Sequence, residues 1–248
     1  LTRWVIHDSA NTGDWRLKGH AVKPFWQWVA SWAACVSKPS DLGYSNNGYD
    51  LPPLNMLTHK VDTETKTAFD EGLLFEMPEI NATSLHRKKR DSVEDRVALV
   101  ADMVNGNDQP WIVWCESNQE SELLAKAIPD AVEVKGSDSP DKKERDLIAF
   151  TDGTARVLIS KSSICGFGMN WQHCKNMVFA SISYSYEKFY QAVRRSWRFG
   201  QDSQVNVHVV IADAEIPVWR IIESKATDHS AMKDHMKYAV FADRKSVV

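Results

Sequence analysis

No Gly-x-x-x-x-Gly-Lys-[Ser/Thr] phosphate loop occurs anywhere in the 248 residues. No Asp-Glu box follows a buried strand either: Asp70-Glu71 lies in a polar stretch with Gly72 behind it. A self-contained nucleoside triphosphatase needs such a loop to cradle phosphates and such carboxylates to hold magnesium. The chain therefore cannot build that half of a hydrolytic site. The four cysteines (Cys35, Cys115, Cys165 and Cys174) are scattered and form no Cys-x-x-Cys pair. They read as reduced, mostly buried thiols. His173 beside Cys174 has no second ligand pair, so no metal site is expected. No apolar run reaches membrane-spanning length: Phe25 to Val36 is short and broken by Gln27 and Ser31. The start lacks the basic-then-apolar layout of a signal peptide, which makes a cytoplasmic setting the expectation. Nor is there a basic excess. A net charge of −3 argues against a strong free-standing nucleic-acid binder.

What is present suits a packed α/β protein. The hydrophobic share of 43% is ample for a core in one large or two small domains. Five of the tryptophans (Trp4, Trp15, Trp26, Trp28 and Trp32) cluster early and predict burial of that stretch. Val22 to Cys35 has helix-compatible spacing, with Phe25, Val29, Trp32 and Val36 recurring every three or four residues. Lys38-Pro39-Ser40 breaks it, and a turn-rich loop from Gly43 to Pro53 follows. Leu54 to Val61 is strand-compatible. Arg87-Lys88-Lys89-Arg90 reads as a solvated linker or helix start rather than a groove contact.

From about residue 96, strands and helices alternate. Trp111 to Cys115 is a continuous apolar run, as in a strand buried on both faces. Ser117 with Glu120 three residues on has the capping-box pattern. Ala131–Val134, Ala155–Ile159, Met177–Ala180 and Val205–Ile211 are further strands. A helix opens at Pro140 with Leu147, Ile148 and Phe150 as its apolar residues. The alternation predicts a parallel sheet covered on both faces. Ile216 to Lys225 suggests a terminal helix, with a frayed end from Asp243.

Gln191 to Gln201 carries the sharpest signal. At helical period Gln191, Arg195 and Arg198 share one stripe, while Phe189, Val193 and Trp197 form an opposite, core-facing one, and Gly200 sits where the helix would stop. Two fixed guanidiniums beside an amide suit a polyanion such as phosphate. A solvated arginine-rich face pairing with local carboxylates is the alternative.

Gln191, Ala192, Arg195, Arg198, Gly200 and Gln201 fill every defining position of Q-A-x-x-R-x-x-R-x-G-Q. That string resembles motif VI of superfamily 2 helicases and translocases in its Swi/Snf-like form, and residues 1 to about 95 resemble segments of phage and prophage helicases of that type. The resemblance implies that Arg195 and Arg198 are catalytic and, with Gln191, reach nucleotide phosphates across a cleft, Arg198 as the arginine finger. Ser160 to Asn170, directly after a strand, resembles motif V, whose Gly166-x-Gly168-x-Asn170 ending implies a backbone approach to phosphate. The strand Trp111–Cys115 with Glu116, Ser117 and Asn118 resembles motif IV more loosely. On these matches Gly166 and Gly168 join the nucleotide-binding set, and Ser117, Asn118, Ser160, Lys161, Ser162 and Asn170 the nucleic-acid-binding set.

The resemblance implies a RecA-like parallel β-sheet with helices on both faces, preceded by a mainly helical and loop-rich N-terminal segment. The expected organisation is an interdomain segment over 1–53, the RecA-like domain over 54–226 with its core from about 96, and a tail over 227–248. In the complete enzyme such a domain works with ATP and Mg2+, bound mainly by a first RecA-like domain, and with DNA, duplex DNA being favoured over RNA by analogy. The chain would then be one half of an ATP hydrolase, inactive alone. A non-catalytic RecA-like module, docking a protein or a nucleic acid through its arginines, is the second reading.

Overall fold

The computed structural model describes residues 3–8, 14–61, 92–165 and 168–244. Gly166, the basic run 87–90 and Asp70-Glu71 lie outside the described residues. The chain divides into two compact units, residues 51–223 and residues 1–50 together with 224–248.

The larger unit is built on six parallel strands. They are β3 (Leu54–Val61), β4 (Trp111–Cys115), β5 (Ala131–Val134), β6 (Val157–Lys161), β7 (Asn176–Phe179) and β8 (Val205–Ala212). Their order across the sheet is β3-β8-β7-β4-β6-β5. All five pairings are parallel, and Cys115 at the end of β4 stands opposite Lys161 at the end of β6. Every residue of β4 and β7 is buried, which is why these central strands are apolar runs rather than alternating ones.

The two faces of the sheet hold separate cores. On one face Trp111, Val113, Val157, Ile159, Val178 and Val210 meet helices α2 (Val93–Asn105) and α3 (Asn118–Ala127). Val93, Val97, Val100 and Val104 recur at helical period and supply α2's buried stripe. On the other face Ile112, Trp114, Leu158, Val205 and Val207 meet α4 (Pro140–Thr151), α6 (Tyr186–Val193) and the start of α7 (Ile216–Arg244). Between β6 and β7 lies one short turn of helix, α5 (Ser162–Cys165). Ser117, Ser139 and Ser185 cap α3, α4 and α6, each accepting the backbone N–H three residues on. This is the parallel sheet with helices on both faces that the alternation predicts, and the RecA-like arrangement that the resemblance implies.

The smaller unit contains an antiparallel pair, β1 (Val5–Asp8) and β2 (Asp14–Leu17), and helix α1 (Val22–Ala30). The helix stops five residues before Cys35. The Ser31 hydroxyl donates to the Trp28 carbonyl at 2.7 Å and competes with the helical ladder. Trp28 and Trp32, expected to be buried, are 47% and 66% exposed. Beyond residue 226, where the sequence predicts a tail, α7 continues to Arg244, since nothing after Pro217 interrupts it with glycine or proline. No described helix is long and apolar enough to cross a membrane.

Candidate nucleotide and nucleic-acid site

The functional candidates form two groups: Ser117, Asn118 and Lys161 stand at the carboxyl ends of β4 and β6, and the arginine segment meets the Met169–Asn170 loop in the connections that lead into β8 and β7. The arginine segment departs from the sequence expectation. Helix α6 ends at Val193 with Arg194 as its cap, and residues beyond it form irregular turns. The cause lies in Arg195 itself. Its Nε donates to the Gln191 carbonyl at 3.2 Å, the acceptor that a continuing helix would give to Arg195 N–H. That N–H turns instead to the Ala192 carbonyl at 3.1 Å. One helical stripe of Gln191, Arg195 and Arg198 is therefore not formed.

The turn brings the two sequence motifs together all the same. Arg195 Nη1 donates to the Met169 carbonyl at 3.1 Å, and its Nη2 lies 3.4 Å from Gln191 Oε1. Trp171 N–H returns a bond to the Arg195 carbonyl at 2.9 Å. Arg198 Nη1 donates to Asn170 Oδ1. Gln201 Nε2 closes the turn on the Gln172 and Ser196 carbonyls at 2.9 and 3.3 Å. Gly200, with φ +89°, provides the left-handed reversal that lets the chain return to β8.

Arg195 is only 7% exposed, whereas Arg198 is half-buried. Burial, and then the neighbouring Arg198 charge, lowers the Arg195 pKa from its ordinary value. Among the described residues both guanidiniums bond to carbonyl and amide oxygens and have no carboxylate partner. Two like charges held close favour an anion. Gly168 lies beside them with φ +81°, and a Cβ built on it would meet nothing within 4 Å. Its backbone is open to close approach by a phosphate.

The second group stands at the ends of β4 and β6. Lys161 Nζ donates to Asn118 Oδ1 at 2.7 Å on the exposed surface. Ser117 Oγ accepts the Glu120 N–H at 3.1 Å. Ser160, expected beside them, points the other way. The strand's alternation turns its hydroxyl inward, where it donates to the Val134 carbonyl at 2.9 Å and approaches Cys165 Sγ at 3.2 Å. Ser162 is likewise buried.

The sequence reading missed a buried polar group. It assigned Glu120 to a capping box, but the carboxylate accepts from Glu116 N–H at 2.9 Å and from Ser181 Oγ at 2.6 Å. Arg96 lies 3.8 Å from Glu120 and 2.8 Å from Glu215. The signal was available in α2, where Arg96 interrupts a valine stripe three residues after Val93 and four before Val100.

Among the described residues no cluster of His, Cys, Asp or Glu could hold a metal ion. Cys174, beside His173, bonds to the Pro110 and Asn176 carbonyls. Burial pushes its thiol up to about 12.

Comparison with curated proteins finds no match. Among solved structures, the chain is similar to the C-terminal part of the Fun30 ATPase domain (17% identity, 67% of this chain and 56% of that one, TM-score 0.44). It is similar to a DEAD box protein from Methanococcus jannaschii (17% identity, 53% and 37%, TM-score 0.47). A third is the C-terminal domain of the DEAD-box protein Dbp5 (12% identity, 60% and 91%, TM-score 0.48). The chain thus spans little more than half of the first of these and less of the second. Residues 88–200, which hold β4 to β7, the Gly168–Asn170 loop and the arginine segment, match the family model of the helicase conserved C-terminal domain.

Proposed function

We infer that residues 51–223 act as the second motor domain of an ATP-dependent helicase or translocase. In this reading Arg198, steadied by Asn170, reaches the nucleotide as the arginine finger, and Arg195 holds the Gly168–Asn170 loop against the finger's segment. The observation that carries it is the pair of guanidiniums bonded to the Met169–Asn170 loop with no carboxylate partner among the described residues. Gly168's open backbone and the half-buried Arg198 fit a phosphate. ATP with its Mg2+ supplies the transferable phosphoryl group when bound. The metal would belong with the domain that carries the phosphate loop, since the described residues hold no carboxylate cluster for it. Gly166 would extend the phosphate approach of Gly168.

Lys161 and Asn118 form the exposed contact for a nucleic-acid backbone. Ser117 engages the backbone of α3, and Ser160 and Ser162 serve as supports rather than contacts. The Swi/Snf-like form of the arginine string favours duplex DNA as the track, and the resemblance of residues 1 to about 95 favours a motor of phage or prophage type. Turnover measured on this chain alone, and again after joining a domain with a phosphate loop, tests the reading. Hydrolysis only in the joined protein is expected. Hydrolysis by the chain alone would overturn it, and no gain on joining would favour a docking module.

A further inference from the structure

Four buried polar side chains converge where β4, β7 and β8 leave the sheet: Arg96, Glu120, Ser181 and Glu215, none more than 3% exposed. Glu120 Oε2 accepts from Ser181 Oγ at 2.6 Å and from Glu116 N–H at 2.9 Å. Arg96 Nη2 stands 3.8 Å from Glu120 Oε1, and its Nη1 donates to Glu215 Oε2 at 2.8 Å. The same Glu215 oxygen accepts Ala212 N–H at 3.1 Å. Buried ion groups of this kind commonly stabilise no better than apolar residues of similar volume. Stability alone is a poor account of them.

Their bonds fall on the three strand exits. Glu116 follows β4, Ser181 follows β7, and Ala212 ends β8. The β4 exit leads into the first turn of α3, which carries both Asn118, bound to Lys161, and Glu120. The β7 exit runs from Ser181 to Ser185, the cap of α6, and α6 ends at the Arg195 turn. The Glu120–Ser181 bond is a direct side-chain link between these two exits.

We propose that Glu120 and Ser181 are positioning residues that transmit engagement of a nucleic-acid backbone at Asn118 and Lys161 to the segment holding Arg195 and Arg198. A phosphate that draws Lys161 away from Asn118 shifts the first turn of α3. Glu120 moves with that turn, and its bond to Ser181 carries the shift into the loop ahead of α6. This regulation rests on the motor reading of the same site.

The test uses the complete two-domain protein, with ATP turnover measured with and without a duplex oligonucleotide. Ser181→Ala should leave basal turnover and duplex affinity unchanged while the stimulated-to-basal ratio falls about fivefold or more, the scale of ordinary coupling between sites. Ser181→Thr, which keeps the hydroxyl, should restore the ratio. Adding Glu120→Gln to Ser181→Ala should reduce it little further, because both cut one link. An unchanged ratio in Ser181→Ala overturns the proposal. So does an equal loss of basal and stimulated turnover, the mark of a scaffold. A native protein with no duplex-stimulated turnover would instead refute the motor reading on which the proposal stands.

Discussion

Arg195 commits Nε and Nη1 to the carbonyls of Gln191 and Met169, whereas Arg198, three residues on, bonds to the amide side chain of Asn170. Identical chemistry thus takes two roles through burial: one guanidinium holds a loop and the other stays accessible to a ligand. Arg96 illustrates the cost of burying such a group. It faces Glu120 and Glu215 in a pocket closed to solvent, so Arg96→Ala leaves two buried carboxylates without their cation. The expected loss of stability is about 3–5 kcal/mol, read from the urea midpoint of the chain. A loss of about 0.5 kcal/mol, the range of surface substitutions, would show that the three side chains do not act as a buried ion group.

At the scale of elements, β3 pairs among the described strands with β8 alone, and a histidine pair joins the two strands. His59 Nε2 and His208 Nδ1 lie 2.9 Å apart, and His208 also packs on Trp111. Burial, and then His59, lowers His208 to about 4. The unfolded chain binds a proton there near the ordinary value of 6.5, so stability is full above pH 6.5 and falls as pH drops toward 4. Thermal melts between pH 7.5 and 5 should show the midpoint falling with pH. His208→Phe, which keeps an aromatic ring against Trp111, should flatten that fall. Equal slopes in the two proteins would remove the pair from the account. Elements were the most legible level in the sequence, because β4 is one apolar run and Ser117 with Glu120 carries a local capping signal. Helix ends were less so. The stop at Val193 comes from a side chain taking a backbone acceptor, and the stop of α1 from Ser31 bonding to Trp28. Neither competition has a periodic signature. The inward turn of Ser160 and the bond from Ser181 to Glu120 depend on strands far apart in sequence, so local pattern could not supply them.

At the scale of the whole molecule, the arginine segment with the Met169–Asn170 loop and the Lys161–Asn118 contact belong to one parallel-sheet unit, and the sequence has no phosphate loop. In the proposed reading this unit completes a hydrolytic site only jointly with a second domain. The central claim is that Arg198 acts on the nucleotide in that joint site, and Arg198→Ala in the complete two-domain protein tests it most directly. Nucleotide affinity, measured by binding of a non-hydrolysable analogue, should stay close to native. ATP turnover should fall by about 10³-fold or more, the scale of an arginine finger. Unchanged turnover with native binding would contradict the account.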